Sequence, residues 1–129
     1  MAGSVVVTST DRGRGVVEYS CAWTSDASGD VSSNTFAVKA GTIVGVRTKP
    51  SSGGTAPTIH YDMTLVDIDT VDLLTGLGAN LSATVTVRAV PYLSTYGPIY
   101  FEGGNLDLVI ANAGNAKQGT VTIWIREGG

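Results

Sequence analysis

One cysteine, one histidine, four prolines and two phenylalanines are spread over 129 residues, and only 15% of the chain is Asp, Glu, Lys or Arg. Soluble domains usually carry about 25%. The lone Cys21 excludes an intramolecular disulfide and a thiolate metal site. With the lone His60, a transition-metal site would need carboxylates for its other ligands. No apolar run approaches the roughly 20 residues of a bilayer-spanning helix, so no membrane is expected as a partner. Eight Lys and Arg against eleven Asp and Glu give a net charge of −3, which argues against a nucleic-acid partner. The start, MAGSVVVTST, has neither the basic n-region nor the long apolar h-region of a signal peptide. A small β domain without disulfides fits a protein made in the cytoplasm.

What the chain has in abundance is 16 Val, 16 Thr and 17 Gly. Ample β-branched residues with little charge are the reverse of the disorder signature and predict an all-β fold. Short β-type runs recur about every 10 to 15 residues between Gly, Ser, Asn and Pro punctuation, the rhythm of a sandwich or barrel. The runs fall at residues 4–10, 16–24, 36–40, 42–48, 58–69, 83–90, 99–101, 106–111 and 119–126. In the second, Val17, Tyr19, Cys21 and Trp23 share one face. The fifth changes phase between Leu65 and Val66, which predicts a bulge or a corner between sheets. Residues 71–77 place Val71, Leu74 and Leu77 at helical spacing, with Asp69 or Thr70 as a candidate N-cap. The expectation is a two-sheet, jelly-roll-like sandwich of eight or nine strands, with at most one short helical turn near residues 70–77. It forms one domain, in which residues 1–15 are an N-terminal strand or arm with its hinge and residues 16–129 the sandwich. This strand rhythm alone leaves an immunoglobulin-like order open as well.

Motifs for catalysis are sparse. His60 falls inside a predicted strand, out of phase with Ile59 and Tyr61, and reads as a surface or interface histidine. There is no G-x-S-x-G and no phosphate-binding G-x-x-x-x-G-K-[ST], so Gly13-Arg14-Gly15 and Gly53-Gly54 read as turns. Asp62, Asp67, Asp69 and Asp72 form an acidic group, read either as a calcium site or as a solvated strand edge and helix start. No enzyme, cofactor, metal or small-molecule substrate is expected.

Interfaces are depleted in charge at their centres and enriched in aromatics and Arg. A domain this small and this poor in charge is most simply explained by burial against other chains. The candidate interface residues are Val5, Val6 and Val7 in the uncharged N-terminal strand, Arg12 and Arg14 at the hinge, and Tyr92, Tyr96 and Trp124. Trp124 is out of phase with Val121, Ile123 and Ile125 and shares the face of Thr120, Thr122 and Arg126.

Three segments resemble small structural proteins of tailed bacteriophages. They are Ala22-Trp23-Thr24-Ser25-Asp26-Ala27-Ser28-Gly29, Phe101-Glu102-Gly103-Gly104-Asn105-Leu106 and residues 112–121, NAGNAKQGTV. The likeness in kind is to capsid cement, or decoration, proteins with a jelly-roll fold. That resemblance implies a virion protein on the outer capsid surface, dimeric or trimeric, with the major capsid protein as its partner. No site residue is carried over from it. Two other readings stand beside it: a different phage head or tail part, and a carbohydrate-binding sandwich that uses Trp124 and the tyrosines.

Overall fold

The structure, a computed structural model, describes residues 3–31, 34–89 and 100–127. Among the described residues nine strands follow one another: β1 (Ser4–Asp11), β2 (Val16–Thr24), β3 (Thr35–Val38), β4 (Gly41–Pro50), β5 (Asp62–Val66), β6 (Val87–Ala89), β7 (Tyr100–Phe101), β8 (Gly104–Ala111) and β9 (Gln118–Arg126). The larger sheet runs β1-β2-β9-β4-β6, with β7 also paired to β4, and the smaller runs β3-β8-β5. All pairings are antiparallel. From β2 to β6 the chain alternates between the sheets, β7 stays in the larger one, β8 returns to the smaller, and β9 comes back to lie between β2 and β4. This is jelly-roll-like connectivity, and the expected all-β sandwich is the fold observed. Among the described residues no helix is long and apolar enough to cross a membrane.

The alternation read in the sequence is what closes the core. Tyr19, Cys21 and Trp23 of β2 point inward, as do Val121, Ile123 and Ile125 of β9. They meet Leu106, Leu108 and Ile110 of β8 and Met63 and Leu65 of β5 in one continuous cluster. Each aliphatic side chain wholly removed from water stabilises the fold by about 1.5–3 kcal/mol, which makes this cluster the main support of the sandwich. A bulge at Val44 of β4 shifts the register between Ile43 and Gly45. Ile43 and Val46 therefore both turn inward although three positions apart.

Several local expectations are corrected. The run at residues 58–69 is strand only over Asp62–Val66. His60 lies in a preceding turn at φ 68°, exposed, and not within a strand. The phase change after Leu65 marks the end of β5, not a bulge: Asp67 accepts the backbone N–H groups of Asp69 and Val71 and folds the chain into a turn. Residues 70–77 contain no helix. The Asp72 carboxylate takes the N–H groups of Leu74 and Gly76, donors that a helix would give to carbonyls, and also that of Leu65 in β5. The adjacent Leu73 and Leu74 are buried while Val71 and Leu77 are exposed, a pattern no helix face produces. Among the described residues the single helical element is a 3-10 turn at Gly53–Thr55. Of the described residues 83–89 of the predicted strand at residues 83–90, only Val87–Ala89 pairs, and Val85 faces solvent; Val90 lies outside the described residues.

Candidate functional site

Register decides which side chains leave the larger sheet on its outer face. Because Val121, Ile123 and Ile125 point inward, Thr120, Thr122, Trp124 and Arg126 point outward. Glu18 stands directly opposite Trp124 on one side, and Gly45 on the other. An ideal Cβ at Gly45 would lie 3.4 Å from Trp124 Cε3, so the indole lies across a position with no side chain. One row along, Arg47 stands opposite Thr122 and also opposite Arg88 of β6.

These residues interlock. Trp124 Nε1 donates to Glu18 Oε1 at 3.0 Å. Arg12, in the β1–β2 turn, donates to both oxygens of Glu18, at 3.3 Å from Nε and 2.8 Å from Nη2. The guanidinium carbons of Arg47 and Arg88 each sit 5.8 Å from the Trp124 ring centroid, within cation–π range. Arg47 Nη2 donates to Thr122 Oγ1 at 3.2 Å, while its Nε is buried without a partner. The hydrogen bonds from Arg12 hold the Glu18 carboxyl below the usual carboxylate range. Partial burial opposes that, and the Trp124 N–H and the charges of Arg12 and Arg47 reinforce it. Two arginines directly opposite one another repel, so the pair favours an arriving anion.

The other residues singled out in the sequence divide among different surroundings. Val5 and Val7 are partly buried against the core, whereas Val6 is 65% exposed on the outer face. The three valines therefore do not form one patch. The predicted arm is a strand, its residues 4–11 paired in unbroken register with β2. Among the described strands β1 is nonetheless an edge. Arg12 N–H bonds to the Val16 carbonyl, which sets the alternation along the hairpin. The backbone N–H and C=O groups of Val5, Val7 and Ser9 are then directed away from β2. Arg14 is exposed in the turn at φ 55°, beside a shallow cavity of about 290 Å³ that also borders Lys39 and Glu127. Tyr92 and Tyr96 lie outside the described residues. Tyr100 is 61% exposed.

Sequence reading singled out Trp124 and Arg12 but missed Glu18, Arg47 and Arg88, which the structure gathers around them. Parity within each strand carried part of the signal, since all three lie on polar faces. Which strands are neighbours did not. At the other end of the same face a cleft of about 370 Å³ crosses four strands, with Val6, Ala22, Thr120, Gln118 and Lys49 along it. In the acidic group, Asp62 accepts the Asn80 N–H and an Asn112 side-chain N–H, which hold its carboxyl below the usual range. The Asp67 and Asp72 carboxylates accept backbone N–H groups of their own turns.

Compared with protein-family models, with curated proteins and with solved structures, the chain matches none.

Proposed function

We propose that this protein is a non-enzymatic structural protein of a virion, a capsid cement that binds the outer shell surface and clamps neighbouring major capsid protein subunits. The observation that carries the reading is the open edge of β1. Along its eight residues, SVVVTSTD, alternate backbone groups are directed away from β2, and the strand holds no proline and no charge before the terminal Asp11. Edge strands are usually blunted by Lys, Pro or a bulge, because an open edge invites another chain to extend the sheet. An edge kept open suits a protein whose work is to be extended. The low charge of the whole chain and the resemblance to phage structural proteins support the same reading. Dimers or trimers spread over a shell would hold it through many modest contacts rather than through one pocket.

The test uses size-exclusion chromatography with light scattering, followed by co-sedimentation with empty expanded capsids. A dimer or trimer that pellets at near-stoichiometric occupancy supports the proposal. A monomer that stays in the supernatant overturns it. Ser9→Pro removes an outward N–H from an exposed position without touching the β1–β2 ladder. It should leave the melting temperature nearly unchanged and lower capsid occupancy.

A further inference from the structure

Charge is segregated across the sandwich. The side chains leaving the larger sheet outward, with the β1–β2 turn, include Arg12, Arg47, Lys49, Arg88 and Arg126 and one carboxylate, Glu18. Five of the chain's eight basic residues and one of its eleven acidic ones thus share this face, +4 in a chain of net −3, which leaves −7 elsewhere. Asp62 and Asp107 alternate with the buried residues of β5 and β8 in the smaller sheet, and the turn after β5 adds Asp67, Asp69 and Asp72. The residues outside the described set include no Asp, Glu, Lys or Arg, so this imbalance belongs to the whole sequence.

The basic face has a centre with the composition of a binding hot spot. Tryptophan and arginine dominate such centres, and here Trp124 is fixed by Glu18 and flanked by two guanidiniums. Arg47 and Arg88 stand opposite each other, neither within ion-pair distance of a carboxylate among the described residues, and Arg47 keeps a buried, unpartnered Nε. A carboxylate placed between them would relieve their repulsion and accept charge-assisted, fork-shaped hydrogen bonds.

We propose that the outer face of the larger sheet docks the acidic surface of a partner protein, with a partner carboxylate held between Arg47 and Arg88 beside Trp124. The inference does not depend on the capsid reading, because the face asks for an acidic polypeptide whatever bears it. Three other occupants fit less well. Nucleic acid would meet Glu18 at the middle of the patch and find few cations to contact. A free phosphate would find a broad face and an open cleft instead of an enclosing pocket. A second copy would bring its smaller-sheet face, on the opposite side of the sandwich, and such front-to-back stacking does not close.

The experiment titrates the intact protein with poly-L-glutamate, following tryptophan emission at low and high ionic strength. Trp23 is buried, so Trp124 is the responsive indole, and Trp124→Phe verifies the assignment. Expected are binding that weakens steeply with salt and a loss of about ten-fold or more in affinity for Arg88→Gln, a change at an exposed position. Lys117→Gln, off this face, should bind like wild type. Absence of poly-L-glutamate binding overturns the proposal, as does an Arg88→Gln variant that binds normally. Inorganic phosphate competing at equal concentration of charge would make this a small-anion site, and tighter binding of duplex DNA would make it a nucleic-acid surface. Low-salt self-association abolished by both Arg88→Gln and Asp69→Asn would make a second copy the occupant. Each of these three results also overturns the proposal.

Discussion

Replacing Gly119 with alanine is the sharpest test of how the core of this sandwich is packed. Gly119 of β9 pairs with Trp23 on β2 and with Pro50 on β4, and the Trp23 indole lies over the place where a side chain would be. An added Cβ would fall 2.6 Å from Cζ2, 2.8 Å from Cε2 and 2.9 Å from Nε1 of that ring. Non-bonded carbons rest at about 3.5–4.0 Å, so the indole must retreat by about 1 Å. It has little room to do so, being 1% exposed with its centroid 5.7 Å from the ring of the equally buried Tyr61. Overpacking of this kind costs about 1–3 kcal/mol, offset by less than about 1 kcal/mol from the stiffer unfolded chain. A net loss of about 2 kcal/mol corresponds to a melting temperature lowered by about 8 °C in a domain of this size. Gly54→Ala is the matched control, because nothing lies within 4 Å of its Cβ position and its φ is not positive. Differential scanning calorimetry on both variants, with near-ultraviolet circular dichroism for the Trp23 environment, gives the answer. A Gly119→Ala protein that melts within about 2 °C of wild type and keeps its aromatic spectrum would refute this account of the Trp23 seat.

Burial pushes the Cys21 thiol up to about 12, so native protein should react with a thiol reagent only as fast as it opens, and fully once denatured. Rapid stoichiometric labelling of the folded chain would contradict that burial. The folded Glu18 carboxyl ionises below its ordinary 4.5, so its contribution to stability is present above that value and is lost as pH falls through the lower folded one. The expected effect is under about 1 kcal/mol for this partly buried surface ion pair, and it should be read as a change in Trp124 emission that Glu18→Gln abolishes. Asp72→Ala strips three backbone N–H groups of their acceptor and should destabilise the protein by about 1–3 kcal/mol, measured by urea unfolding. An unchanged unfolding midpoint would mean that the turn behind Leu73 and Leu74 is held by other bonds.

Residues 70–77 show where sequence reading stops. Val71, Leu74 and Leu77 fit one helical stripe, yet Asp72 has three N–H partners within reach only because β5 lies alongside it, one of them on Leu65. Spacing cannot register a competing bond from a neighbouring strand. The strand at residues 16–24 was legible to the residue, because period-two alternation is a property of the strand itself. The interface candidates divided by the same rule. That Trp124 leaves the core face follows from its parity with Ile123 and Ile125. That it meets Glu18 from β2 and two arginines from β4 and β6 depends on β9 being inserted between β2 and β4.

Composition and alternation by themselves therefore determined an all-β chain, the residues that turn inward, and a surface too poor in charge to be ordinary. Those are local properties, written in single residues and in pairs two apart. The order of the strands was decided only in three dimensions, because many orders bury the same inward faces and no single strand carries the identity of its neighbours. That order places five of eight basic side chains on one outer face and the Asp-rich strand and turn across the core from it, a segregation that cannot be seen along the chain.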